Sequence, residues 1–152
     1  MSTHHIRTAV ALAVALLGAA PFAANAALGG NVASVIHDSE MLKGTHSLTP
    51  FAAYDLHESI TADGVVLRQY VDRSGSVFAV TWHGRRSPDV DALLGAHAEH
   101  YRATRSRFSN HHVVTLNEPG LTVTVMRLPR GWQGAALLPA AIPAGVSRAE
   151  LR

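Results

Sequence analysis

Residues 54–83 read YDLHESITADGVVLRQYVDRSGSVFAVTWH. Apolar and polar residues alternate through this stretch with period two, the spacing of a strand with one buried face. Two clusters interrupt it, Ala62-Asp63-Gly64 and Asp72-Arg73-Ser74-Gly75, and divide it into Tyr54–Thr61, Val65–Val71 and Val77–His83. Aspartate and glycine suit the positive φ values that tight hairpins demand. In the third segment Phe78, Val80 and Trp82 fall on one face and Val77, Ala79 and Thr81 on the other. The pattern predicts an antiparallel meander.

Downstream, Gly84 to Ser87 break the alternation and a helix begins. Ser87 is placed to cap it and Pro88 to take its first position. Asp89 and Asp91 complement the positive end of the helix dipole. Val90, Leu93, Leu94, His97 and Tyr101 recur at steps of three and four, a stripe expected to face the sheet, with Arg102 and Arg105 in the last turn. From His111 the period returns to two. Val113–Asn117 and Leu121–Leu128 flank the turn Glu118-Pro119-Gly120, and Pro129-Arg130-Gly131 leads into Trp132–Leu138. Pro139 and Pro143 end regular structure, and Ser147 caps a terminal turn through Leu151. Strands in runs around one amphipathic helix predict an α+β domain of order βββαβββ, the helix covering one sheet face.

Upstream the chain reads as an address. Arg7 precedes an uncharged apolar run from Ala9 to Ala20, Pro21 breaks it, and Ala24-Asn25-Ala26 supplies the small residues a signal peptidase reads. The run falls short of the roughly 20 apolar residues that span a bilayer. Residues 1–26 are therefore expected to be a cleaved secretory signal, with the mature protein starting at Ala27. Residues 27–50 form a lead-in segment: Asn31 or Ser34 caps a short helix carrying Val35, Ile36, Met41 and Leu42 and ending at Gly44, or the stretch is linker. A single domain is expected over 51–140, followed by a tail over 141–152.

The full chain has 13 basic and 11 acidic residues and a pI of 9.5, and loss of Arg7 with the expected signal leaves 12 against 11, so the pI overstates any basic character. No block of like charge suggests an electrostatic tail. Cysteine is absent. This removes disulfides, thiol catalysis, thiolate zinc sites and a lipid-anchored N-terminal cysteine. A soluble exported domain without a stable membrane anchor after cleavage is the expectation.

Histidine is the one reactive type in excess, with eight in the mature chain. His97 and His100 lie three apart on the helix, so both rings can reach one metal ion. His97-Ala98-Glu99-His100 falls one residue short of the H-x-x-E-H metalloprotease pattern. It also contains the H-x-E of zinc deaminases, which need cysteines this chain lacks. The simpler reading packs His97 in the apolar stripe. His111-His112 enters a strand, where neighbours point to opposite faces. No G-x-S-x-G is present, and the adjacent letters of His37-Asp38-Ser39-Glu40 do not make a triad. No glycine-rich nucleotide fingerprint follows a strand, so no cofactor is expected. Arg85, Arg86, Arg102, Arg105 and Arg107 cluster at the two helix ends. Export argues against nucleic acid, and a solvated helix terminus explains the arginines, with an acidic polymer or lipid headgroup as the alternative partner. Trp82 and Trp132 sit at strand positions that favour the core.

Five blocks occur in order: Ala27-Leu28-Gly29-Gly30; Arg68-Gln69-Tyr70-Val71; Gly75-Ser76-Val77-Phe78-Ala79-Val80-Thr81-Trp82; Pro88-Asp89-Val90 with Leu93-Leu94-Gly95; and Pro143-Ala144-Gly145-Val146-Ser147. Together they resemble a family of small exported proteobacterial proteins catalogued as a domain of unknown function. The resemblance spans nearly the whole mature chain and implies a Gram-negative envelope location, periplasmic or secreted. It carries over no activity, cofactor or catalytic residue. The expectation is a non-enzymatic binding or accessory module that meets an envelope partner or small ligand through a sheet face or loop edge. The alternative is a secreted histidine-rich metal-binding protein or metal-dependent hydrolase built on His97 and His100.

Overall fold

The computed structural model describes residues 28–33, 35, 44–107 and 112–151. The expected signal, with Ala24, Ala26 and Ala27, lies outside the described residues, as does His111. Seven strands form one antiparallel sheet: β1 (Thr45–Pro50), β2 (Tyr54–Ile60), β3 (Val66–Asp72), β4 (Val77–Gly84), β5 (Val113–Glu118), β6 (Leu121–Leu128) and β7 (Gly131–Leu137). Their spatial order is β1-β2-β3-β4-β7-β6-β5. The chain meanders to the centre and crosses the sheet as a helix. It then meanders back from the far edge until β7 closes against β4. The α+β class and the helix between two strand groups match the sequence pattern.

The strand β1 was not anticipated and replaces the end of the lead-in segment. All six of its residues are exposed and only Leu48 is strongly apolar, so no burial pattern marks it. It is an edge strand, and Pro50 at its end is tolerated there for want of a further neighbour. The lead-in segment also enters the core. Leu28 is 3% exposed and Val35 fully buried. The Leu28 amide donates to the Leu93 carbonyl, and Gly29 and Gly30 exchange hydrogen bonds with Val77.

The helix is interrupted. Segment α1 (Val90–Leu94) is followed by a 3-10 turn at Gly95–His97 and then by α2 (Ala98–Arg107). Asp89 caps α1, its Oδ1 accepting from the Ala92 amide at 3.0 Å. The Ser87 hydroxyl instead donates to the Pro88 carbonyl. Gly95, at φ +53°, turns the chain between the two segments. That turn moves the buried stripe to Val90, Leu94, Ala98 and Tyr101, so Ala98 takes the place expected of His97. Burying side chains the size of Val90 and Leu94 contributes roughly 1.5–3 kcal/mol each.

A bulge separates the two cores. In β4 Ala79 faces Tyr70 and Val77 faces Val71, so Phe78 is the extra residue. It therefore leaves the face of Val80 and Trp82 expected for it. Val77, Val80 and Trp82 pack beneath the helix, with Leu67, Val114, Leu116, Val123, Val125 and Ala136. Phe78 joins Tyr54, Tyr70, Ala79 and Leu137 on the opposite face, where Leu151, Ile142 and Val146 of the tail cover them. Ser147 caps the tail's last 3-10 turn (Arg148–Glu150) as expected, its Oγ accepting from the Ala149 amide. Among the described residues no helix is long and apolar enough to cross a membrane.

Candidate ligand-binding groove

The tail covers only one end of its sheet face. Strand register aligns Glu58, Arg68, Thr81, Ala135 and Thr124 in one row across β2, β3, β4, β7 and β6. The neighbouring row holds Val66, His83, Gln133 and Met126. Arg68, Thr81, Ala135 and Thr124 of the first row and His83, Gln133 and Met126 of the second floor an open cavity of about 680 Å³. Its walls come from three chain reversals that meet at this end of the sheet: Gly64 between β2 and β3, Gly84-Arg85 after β4, and Arg130-Gly131 between β6 and β7. Leu128 and the tail residue Leu151 add apolar surface, and Trp132, packed against the helix-side core, borders the cavity.

The composition of this groove is one-sided. Arg68, Arg85, Arg130 and His83 line it, and no aspartate or glutamate does. The Arg68 guanidinium is committed to Glu58, with Nε donating to Oε2 at 2.6 Å. Arg85 and Arg130 form no ion pair among the described residues, and both sit at the mouth. Trp132 is partly buried at the edge, with the Arg127 guanidinium 5.7 Å from its ring centre. Thr81 and Gln133 supply neutral hydrogen-bonding groups on the floor. Apolar walls, a few directed polar groups and excess positive charge describe a site for an anionic group attached to an apolar body.

Two glycines shape the floor. Trp82 lies flat beneath Gly134 on the helix side, and any side chain at Gly134 would occupy the volume of the indole. The buried Trp82 Nε1 has no hydrogen-bond partner among the described residues. A Cβ at Gly131 would meet the Gly84 backbone, so the wall between these two reversals also depends on glycine.

A second cavity adjoins the first on the same face, lined by Phe51, Tyr54, Leu56, Tyr70, Val146 and Glu150, among others. Arg68 and its partner Glu58 border it, so the ion pair stands between the two spaces. Burial raises the Tyr54 phenol above its ordinary pKa, with smaller pushes from Tyr70 and Glu150.

The sequence-predicted residues lie elsewhere. His97 sits against Gly29, where an added Cβ would come within 3.7 Å of Nε2. His100 is exposed and its Nδ1 faces Glu118 Oε2 of β5 at 3.1 Å. The two rings thus turn to different neighbours, one at the N-terminal segment and one at the sheet edge. His112 is exposed and its carbonyl accepts from the Arg127 amide. Among the described residues no group of three or more His, Cys, Asp or Glu side chains is placed to hold a metal ion. The arginine cluster also disperses: Arg102 pairs with Asp91 at 2.8 Å, Arg105 lies over Tyr101, and Arg86 reaches Asp63 at 3.8 Å. Only Arg85 of that cluster enters the groove. The groove residues carried one legible signal, the period-two rows, but their alignment across strands depends on register.

The model of a family described as "Protein of unknown function (DUF2844)" matches residues 24–151. No curated protein and no solved structure matches the chain.

Proposed function

The chain belongs to the DUF2844 family, and from that premise we propose that it is an exported, non-enzymatic binding module whose ligand surface is the open end of the sheet. The ligand class is an anionic amphiphile, a molecule with one acidic group and an apolar body. One observation carries this reading: a groove of about 680 Å³ lined by three arginines, a histidine and apolar side chains, without a carboxylate. Arg85 and Arg130 meet the acidic group, Thr81 and Gln133 orient it, and Met126, Leu128 and Leu151 take the apolar body. The signal-like segment before Ala27 supports a periplasmic or secreted location, where such molecules are encountered at a membrane face.

Decanoate titrated into the mature protein tests this, with tryptophan fluorescence as the readout. Saturable quenching is expected for decanoate and not for decyltrimethylammonium, which has a similar tail and the opposite charge. The double variant Arg85→Glu/Arg130→Glu is expected to lose the decanoate response while keeping its melting temperature. Equal binding of both surfactants, or an unchanged response in the double variant, overturns the reading.

A further inference from the structure

On the helix-side face, at the sheet edge away from the groove, β1 and β2 bring two histidines together. Leu48 faces His57 and His46 faces Ser59 in the register, which puts His46 diagonally across from His57. His46 Nε2 stands 3.1 Å from His57 Nδ1, with ring centres 5.3 Å apart. His57 is 3% exposed, and His46 is exposed to solvent. One nitrogen is therefore fixed in the sheet and the other opens outward.

We propose that His46 and His57 form a two-nitrogen clip for a borderline divalent cation, copper(II) foremost and zinc(II) after it. The spacing fits. With metal–nitrogen bonds of about 2.0 Å, two neighbouring ligands stand about 2.8 Å apart in a square plane and about 3.3 Å apart in a tetrahedron. The observed separation lies between these values, so either geometry is reached by a small rotation of the exposed His46 ring. Imidazole suits both ions, and copper(II) stands highest in the divalent series.

Protonation chemistry agrees with this geometry. Burial lowers the His57 pKa below its ordinary value, helped by the charge of His46 and opposed by Asp55. The ring is accordingly neutral near pH 7, the form that binds metal. Without metal, one of the two facing nitrogens donates its proton to the other. With metal, both lone pairs point at the ion, so His46 must carry its proton on Nδ1 and His57 on Nε2. The remaining positions on the ion stay open to water or an external ligand, because β1 is the sheet edge.

The test uses the mature protein without an affinity tag and zinc(II) as the diamagnetic probe, followed by long-range 1H–15N correlation of the histidine rings. One equivalent of zinc(II) is expected to shift His57 Nδ1 and His46 Nε2 before any other ring nitrogen. Copper(II) is expected to give an electron paramagnetic resonance spectrum with two imidazole nitrogens per ion. His46→Gln, at an exposed position, is expected to fold normally and to lose at least tenfold in affinity for both ions, while His100→Gln retains it. First shifts at other histidines, or equal affinity in His46→Gln, overturn the proposal. Neither result bears on the arginine-lined groove, which lies on the opposite face.

Discussion

Gly134→Ala is the sharpest test of how the sheet is packed. Gly134 of β7 faces Trp82 of β4 across the central strand pair. The indole occupies the space where a Cβ would stand, with ring atoms well inside any allowed contact. Trp82 is 1% exposed and packed under the helix, so it has no free volume to move into. Overpacking of this kind costs typically 1–3 kcal/mol. Because the clash is with a rigid ring rather than a flexible chain end, a loss of about 3 kcal/mol is expected. In a domain of this length that lowers Tm by roughly 10 °C. Thermal melts by circular dichroism measure it, and a cycle with Trp82→Leu assigns it. Trp82→Leu leaves a cavity and is itself destabilising by about 2–4 kcal/mol. In that background, however, Gly134→Ala should cost less than about 1 kcal/mol, a coupling of about 2 kcal/mol between the sites. A loss below 1 kcal/mol in the wild-type background, or the same loss in both, refutes the close approach of indole and backbone.

Other perturbations reach other parts of the molecule. Asp72→Ala removes an acceptor that takes the Ser74 amide at 2.8 Å, the Ser74 hydroxyl at 2.6 Å and the Ser76 amide at 3.0 Å. Burial pushes this carboxyl up, but those hydrogen bonds and the Gly75 amide outweigh it and hold it below the usual carboxylate range; a loss of about 1–2 kcal/mol in urea unfolding is expected. Leu28→Ala should cost about 2–3 kcal/mol in the same assay, because this second residue of the expected mature chain is buried against the helix. An unchanged midpoint would show that the N-terminal residues do not contribute to the core. His57 resists protonation in the folded state more than in the unfolded one, so the unfolded chain binds more protons and stability drops as the pH is lowered. The fall begins near the ordinary histidine value of 6.5 and levels off once pH passes the lower folded-state value. Melts of wild type and His57→Gln across about pH 5 to 8 isolate it, since the variant should lose this part of the slope.

Much of the fold was legible because burial imposes period on sequence. The segments Tyr54–Ile60 and Val66–Asp72 carry a largely alternating burial, Val77–Trp82 is apolar on both faces because both are covered, and turns with aspartate and glycine mark the ends. The strand β1 carries no such mark, since a wholly exposed edge needs only backbone pairing. The bulge at Phe78 was equally hidden. A single extra residue swaps faces without changing the local composition, and only the neighbouring strand shows it. The helix stripe was read at an unbroken 3.6 residues per turn, and the break at Gly95 turned His97 out of it.

The site was less legible for a related reason. Arg68, Thr81, His83 and Gln133 come from three different strands, and no local motif links them. They converge through register and through the order β3-β4-β7, which closes only after the helix crosses the sheet. The His46–His57 pair was missed in the same way, because one member lies on the unmarked strand. His97 and His100 drew notice by their spacing along one helix. Instead the His97 ring lies near Gly29 and the His100 ring pairs with Glu118.

The central claim is that the arginine-lined end of the sheet takes an anionic amphiphile. The most direct measurement is chemical-shift mapping of the 15N-labelled mature protein during a decanoate titration. The account predicts that the largest shifts fall on the Arg68, Thr81, His83 and Gln133 amides and on the reversals carrying Arg85 and Arg130, with the helix face unmoved. Shifts concentrated over Val90–Arg107, or no saturable shifts at all, would contradict it.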